Sequence, residues 1–116
     1  MRLVFAGTPE VAAIALERLA QVHEIALVIT RPDAPLGRKR VITPSPVAVV
    51  AERLSIPVLK SKSIESPELA RISSQQADLG IVVAYGALLG PEVLEQMDWW
   101  NLHFSLLPQW RGSTPL

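Results

Sequence analysis

The chain has 116 residues, of which 49% are hydrophobic and only 5% aromatic, enough for one small domain with a mostly aliphatic core. Eleven basic and eleven acidic residues balance to a formal charge of zero, which leaves nucleic-acid binding open because a local patch can hide in a neutral total. The lack of cysteine excludes a disulfide framework, a thiolate nucleophile and a cysteine-ligated metal. No apolar run reaches the ~18 residues of a membrane span, and none forms a signal-peptide core. We therefore expect a cytoplasmic protein without a membrane partner.

The first thirty residues have the pattern of a parallel unit. Residues 2–6 form a short apolar run, which predicts a buried strand. Thr8 is expected to cap a helix that carries Pro9 in its first turn and ends near residue 20. A second apolar run at 25–29 predicts another strand. Strand, helix and strand in this order indicate a right-handed parallel connection.

Residues 30–46 break this rhythm, with four prolines and one glycine, and we expect a long loop. The segment has four basic residues and one acidic residue, a local charge of +3; these are Arg31, Arg38, Lys39, Arg40 and Asp33. One interpretation is a solvated surface loop. The other is contact between its basic side chains and a nucleic-acid backbone, which is how most non-specific affinity for nucleic acid arises.

The second half continues the alternation of helices and strands. The pattern predicts, in order, a helix at 47–54 capped by Ser45, an edge strand at 56–59, a helix starting at Ser66 and ending near 75, a strand at 78–84, a loop at 85–90, a helix at 91–97 and a strand at 99–104. The predicted fold class is α/β, with a mainly parallel, twisted sheet flanked by helices. The sheet looks unfinished at residue 115, so we expect a chain that is truncated at its C-terminus.

The predicted strand at 99–104 has the best candidates for chemistry. Period two places Asn101 and His103 on the same face. Histidine moves protons near neutral pH, and a side-chain amide can donate to a developing oxyanion, a combination that suits acyl or formyl transfer. The alternative is two polar residues at a strand end. Gly7 likewise fits either a tight turn or a loop that lines a ligand.

Other residues are expected to have structural places. His23 is assigned to the surface, and no metal cluster is predicted. Trp99 and Trp100 are expected to pack against the domain. Tyr85 lies in a loop, where it can pack or bind.

The segment around Asn101 resembles a known motif. Asn101-x-His103-x-Ser105-Leu-Leu-Pro108 is similar to the active-site motif of the formyltransferases that use 10-formyltetrahydrofolate. Three further features resemble the methionyl-tRNA formyltransferases within that family: the opening Phe5-Ala-Gly-Thr-Pro-Glu10, the basic loop, and Trp110-Arg-Gly112. The resemblance covers the whole chain. It implies that residues 1–116 are the N-terminal part of a Rossmann-like formyltransferase domain.

The resemblance also implies roles for particular residues. Asn101 and His103 would be catalytic and would stabilise the tetrahedral oxyanion, with His103 also placed for proton transfer. The folate, 10-formyltetrahydrofolate, would be bound by Ser105, Leu106, Leu107, Pro108, Ala87, Leu88 and Leu89. The acceptor end of the initiator methionyl-tRNA would be bound by Arg38, Lys39 and Arg40. Gly7 would lie near the methionyl end, and no metal would take part.

The chain departs from the family at several points. The family pairs its histidine with a downstream aspartate and has a C-terminal β-barrel domain that helps to bind tRNA, and neither is found in the 116 residues. Val11 stands where many relatives have phenylalanine. We expect a fragment with very little activity alone, from an enzyme that is a monomer at full length. The alternatives are another formyltetrahydrofolate-dependent transferase or hydrolase, and a nucleotide- or RNA-binding α/β module without chemistry.

Overall fold

A computed structural model describes residues 1–62, 65–85 and 89–102. The strands in these ranges are β1 (Arg2–Gly7), β2 (Glu24–Thr30), β3 (Ala34–Leu36), β4 (Val41–Thr43), β5 (Val58–Lys60), β6 (Leu79–Val83) and β7 (Trp99–Asn101). The helices in these ranges are α1 (Glu10–Ala20), α2 (Pro46–Arg53), α3 (Ser66–Ser74) and α4 (Pro91–Leu94). None of these helices is long and apolar enough to cross a bilayer.

Five strands form a parallel sheet in the order β5-β2-β1-β6-β7. β1 is central, and its Phe5 pairs with Val28 of β2 on one side and Ile81 of β6 on the other. The chain first extends the sheet outward from β1 through β2 to β5, then returns to add β6 and β7 on the opposite side. The topological switch point therefore lies between β1 and β6, where open α/β sheets bind ligands at the strands' carboxyl ends. The predicted fold class is confirmed.

The helices cover the sheet on both faces. One core joins α1 and α2 to the sheet, with Phe5 and Leu16 among its fully buried side chains. The other core joins α3 and α4 to the opposite face through Ile72 and Val93. Because β1 and β2 are buried on both faces, their sequences are near-continuous apolar runs rather than alternating ones.

The helix starts agree only partly with the sequence prediction. Ser45 caps α2 as expected, and its hydroxyl accepts a hydrogen bond from the Ala48 backbone N–H at 3.0 Å. The assignment of Thr8 as the cap of α1 was wrong. Pro9 is the N-cap residue, and the Thr8 hydroxyl is buried without a partner in the described part of the chain. The reason is that β1 continues through Gly7, which leaves Thr8 in the turn before the cap.

The expectation of a loop throughout 30–46 was wrong in its middle. β3 and β4 form an antiparallel hairpin in which Ala34 pairs with Thr43 and Leu36 with Val41. A proline fits in such a ribbon because each strand has one unpaired edge, and a nitrogen that faces this edge costs no ladder bond. Strands of three residues are too short to leave a periodic pattern.

Some smaller predictions also need correction. α4 ends at Leu94 rather than near residue 97. His23 is half-buried, and its Nδ1 is buried without a partner among the described residues, so it is not a simple surface residue. Trp99 packs as expected and its indole N–H donates to the Val93 carbonyl oxygen at 3.0 Å, but Trp100 is 60% exposed.

Candidate functional site

A cavity opens at the carboxyl edge of the sheet, beside the switch point. Its volume is about 230 Å³, and the described residues that line it are Val11, Val82, Val83, Ala84, Tyr85, Asn101 and Leu102. Three elements meet there, since Val11 belongs to α1, Val83 ends β6 and Asn101 ends β7. The cavity occupies the position that the topology predicts for a ligand.

Asn101 is held at the cavity by strand pairing. It stands opposite Val82 in the parallel register, and the next residue, Leu102, donates its backbone N–H to the Val82 carbonyl oxygen at 2.8 Å. Asn101 is exposed, so its amide is free to meet a ligand. His103 lies outside the described residues, and its placement on the same face stays a prediction.

The cavity wall includes a feature that the sequence did not indicate. Ala84 has a positive φ of 51°, and this left-handed residue turns the chain out of β6. Tyr85 follows and donates its hydroxyl to the Ser61 carbonyl oxygen at 3.1 Å. Burial disfavours the phenolate and raises the pKa of Tyr85 above its ordinary value of 10.0. In the sequence, a tyrosine directly after the apolar run of β6 indicated a residue near the ligand edge. It did not indicate that the hydroxyl would bind the Ser61 carbonyl oxygen.

The folate-binding prediction falls mostly outside the described residues. Ala87, Leu88, Ser105, Leu106, Leu107 and Pro108 all lie there. Leu89 is half-buried and packs against the core beneath α3 and α4. Its side chain therefore contributes to packing, and a role for its backbone remains a prediction.

The basic residues form the tip of the β3–β4 hairpin. Gly37 has a φ of 78° and Arg40 a φ of 54°, and the Arg40 backbone N–H donates to the Gly37 carbonyl oxygen at 3.2 Å, which closes the turn. Arg38, Lys39 and Arg40 are all exposed. No ion pair joins them to an acidic side chain within residues 1–62, 65–85 and 89–102. The tip is thus a compact cationic surface, and the hairpin leaves the sheet after the carboxyl end of β2.

An apolar groove adjoins the cavity along α1. Its volume is about 380 Å³, and the described residues that line it are Val11, Ile14, Ala15, Arg18, Leu19 and Leu102. Val11 and Leu102 belong to both spaces. Val11 and Leu102 therefore form the boundary between the cavity and the groove. In the part of the chain that the structure describes, no three acidic or histidine side chains are grouped to hold a metal ion.

The family model for formyl transferases matches residues 1–116. The chain belongs to the formyl transferase family. It is 57% identical over 119 residues to the methionyl-tRNA formyltransferase of Clavibacter sepedonicus, and 52% identical over 118 residues to that of Leifsonia xyli subsp. xyli. Each alignment covers 100% of this chain and 39% of the relative. The resemblance inferred from the Asn101 motif is confirmed, and the chain spans well under half the length of these relatives.

Solved structures of formyl transferases have the same fold. Glycinamide ribonucleotide transformylase 1 from Geobacillus kaustophilus superimposes with a TM-score of 0.63 at 21% identity, over 97% of this chain and 62% of that one. Phosphoribosylglycinamide formyltransferase from Bacillus halodurans gives a TM-score of 0.61 at 24% identity, over 93% and 58%. At these identities the likeness concerns the Rossmann-like fold alone.

Proposed function

We propose that this chain supplies part of the catalytic domain of an enzyme that transfers a formyl group from 10-formyltetrahydrofolate to the α-amino group of initiator methionyl-tRNA. The observation that carries the proposal is the 57% identity, over the whole chain, to the methionyl-tRNA formyltransferase of Clavibacter sepedonicus. The place of Asn101 supports it, because this amide lines a cavity at the edge where the fold binds ligands.

In the proposed reaction, the α-amine attacks the formyl carbon and forms a C–N bond. The carbonyl oxygen becomes an oxyanion, to which the Asn101 amide donates a hydrogen bond. His103 also stabilises this oxyanion and handles the proton that moves from the attacking amine to N10 of the folate. The bond between the formyl carbon and N10 then breaks, which gives formylmethionyl-tRNA and tetrahydrofolate. The tetrahedral intermediate concentrates charge on one oxygen, so an amide fixed at that point favours it over the planar substrate.

A chimeric enzyme tests the role of Asn101. In it, this chain replaces the aligned segment of the Clavibacter sepedonicus relative. Asn101→Ala is expected to lower kcat by roughly 10²–10³-fold with little change in the KM values, the loss typical of one oxyanion donor. Gln21→Ala is the matched control, because it removes an exposed amide just after α1, outside the cavity lining, and should leave kcat unchanged. A defect confined to KM would contradict the proposed role.

The hairpin tip supports the tRNA substrate. Three exposed cationic side chains on one turn can neutralise phosphates, and such contacts make affinity fall with salt. Replacing Arg38, Lys39 and Arg40 with glutamine in the chimera should raise the KM for tRNA and flatten its salt dependence, while the KM for folate stays the same. In the control, three exposed basic residues elsewhere are changed to glutamine, and the KM for tRNA should stay the same. These residues are Arg53, Lys62 and Arg71. An unchanged KM for tRNA would contradict the assignment of the hairpin tip to tRNA.

The chain by itself is expected to turn over very slowly. The family pairs its histidine with a downstream aspartate, and residues 104–116 contain no acidic residue. Losing the carboxylate that orients a catalytic histidine costs orders of magnitude in rate. Measured turnover by the 116-residue chain close to that of the chimera would overturn this expectation. A folate titration distinguishes a formyltransferase from an RNA-binding module without chemistry. The module would bind tRNA but not folate.

A further inference from the structure

The hairpin that bears the basic tip is joined to the domain at two points. It leaves the sheet after Thr30, the last residue of β2, and it returns at Ser45, the N-cap of α2. Its strands have three residues each, and an isolated two-stranded ribbon is at best marginally stable in water. The direction in which the tip projects must therefore be set mainly where the hairpin meets the domain.

A buried pair of hydroxyl groups closes the base of this hairpin. Thr30 Oγ1 and Ser45 Oγ are 2.7 Å apart, and both residues have an exposed fraction of 0%. Among the described residues, these two are the polar ones that are fully buried. A buried hydroxyl without a partner is costly, so each of the two groups fixes the other in place.

The Thr30 hydroxyl has no local task that would explain it. Ser45 already accepts from the Ala48 backbone N–H at 3.0 Å and so has a role as a helix cap. The backbone carbonyl of Thr30 accepts from the Ser61 N–H at 3.0 Å, as valine in its place would also do. The hydroxyl of Thr30 thus contacts a residue fifteen positions later in the chain, where the hairpin returns to the domain, and it joins the two ends of the hairpin segment.

Two further contacts hold the lower part of the hairpin. The Arg31 guanidinium donates to the Thr43 carbonyl oxygen at 3.2 Å and to the Pro32 carbonyl oxygen at 2.8 Å. Lys60, at the end of β5, pairs with Asp33 at 2.8 Å. These side chains are more exposed than the hydroxyl pair, and exposed ion pairs stabilise weakly. The hydroxyl pair is therefore the contact least shared with solvent.

We propose that Thr30 and Ser45 are positioning residues, whose buried hydroxyl pair orients the β3–β4 hairpin so that its basic tip can contact RNA. The inference rests on the proposed function for the identity of the ligand, because the tip is assigned there to tRNA. It adds residues that touch no substrate and act through the hairpin. Preformed placement raises affinity because less ordering is left for the moment of binding.

The test uses the 116-residue chain with two substitutions of Thr30. Thr30→Val keeps the shape of the side chain and removes the hydroxyl, whereas Thr30→Ser keeps the hydroxyl. Amide hydrogen exchange is measured in the hairpin and in β1. Thr30→Val should accelerate exchange of the hairpin by roughly fivefold, the factor for one net hydrogen bond, and leave β1 unchanged. Thr30→Ser should behave like the wild type. Equal exchange in all three proteins would overturn the proposal.

A second measurement asks whether the placement matters for binding. The affinity for fluorescently labelled initiator tRNA should fall by roughly fivefold in Thr30→Val and recover in Thr30→Ser. With Arg38, Lys39 and Arg40 changed to glutamine, Thr30→Val should have no further effect. Faster exchange without loss of affinity would reduce the pair to a structural role and overturn the proposal.

The two proposals can fail separately. If neutralising the tip alone leaves tRNA affinity unchanged, the assignment of the tip to tRNA fails, and with it the ligand named for the hairpin. If neutralising the tip weakens binding but Thr30→Val does not, only the positioning proposal fails.

Discussion

Gly7 lies so close to Val83 that a Cβ atom added to Gly7 would stand 2.7 Å from the Val83 carbonyl oxygen. The same atom would be 2.8 Å from the Cβ of Ala12. The central strand, its neighbour β6 and the first turns of α1 therefore converge at Gly7, immediately beside the candidate cavity. Only a residue without a side chain permits this approach.

The substitution Gly7→Ala should destabilise the domain, because neither the Val83 backbone nor the helix can move aside cheaply. We expect a loss of about 1–3 kcal/mol in the free energy of unfolding, the usual range for overpacking, measured by urea denaturation. Gly90→Ala is the matched control, since among the described residues its new Cβ would meet only the Glu92 carboxylate, at 3.2 Å and at the end of a flexible side chain. Equal losses in the two variants would contradict this account.

Gly80 has a comparable relationship with Trp99. A Cβ at Gly80 would overlap the Trp99 ring, which is itself fixed by its hydrogen bond to the Val93 carbonyl oxygen. Gly80→Ala should cost about 1–3 kcal/mol and loosen β7, the strand that places Asn101. In a Trp99→Leu background the ring is gone, so the cost of Gly80→Ala should shrink, as a double-mutant cycle followed by circular dichroism would reveal. Strict additivity would exclude the proposed clash.

The strands of the sheet and the helices between them could be predicted in chain order, because burial leaves a direct mark on the sequence. Strands buried on both faces must be apolar at successive positions, and residues 25–29 of β2 show this. The cap at Ser45 was equally visible, since serine before proline satisfies the first turn of a helix. Asn101 was found because a polar residue that closes an apolar strand lies at the ligand edge.

The features that escaped prediction depend on contacts between distant residues. Four residues other than glycine have a left-handed backbone conformation: Arg40, Ser55, Gln76 and Ala84. The sequence does not mark these positions, since such residues adopt this conformation only where tertiary packing compensates for its cost. The hairpin is too short to show periodicity. The hydrogen bond from Tyr85 to Ser61 joins residues twenty-four apart in the chain, and composition does not record such pairs.

Ser45→Ala should reveal the two roles of this hydroxyl. The change removes the cap of α2, which costs about 0.5–2 kcal/mol, and it leaves the Thr30 hydroxyl buried without its partner, which costs about 1–3 kcal/mol. Adding Thr30→Val should recover the second part, so the double variant should lose less stability than the sum of the single variants. Urea denaturation gives the free energy of unfolding of all four proteins. A loss in the double variant that equals or exceeds the sum of the single losses would refute the shared burial penalty.

Tyr85 makes the stability of the chain depend on pH in the alkaline range. Burial raises the pKa of its phenol, while the unfolded chain has the ordinary value of 10.0. Well below that value Tyr85 is neutral in both the folded and the unfolded state, and it adds no pH dependence to the free energy of unfolding. As the pH rises past that value, the unfolded state gives up the proton more readily and binds fewer protons, so the free energy of unfolding falls.

Because Tyr85 is the chain's one tyrosine, the absorbance of the phenolate reports this group alone. We expect its titration midpoint in the folded chain to lie above 10.0, and to return to the ordinary value in denaturant. Tyr85→Phe should remove the corresponding fall of the free energy of unfolding with pH, so the difference between the two proteins isolates the contribution of this group. At neutral pH the same variant should lose about 0.5–1.5 kcal/mol through the missing bond to Ser61. A folded chain whose phenol titrates at the ordinary value would show that this hydroxyl is solvated, and would remove Tyr85 as a fixed wall of the cavity.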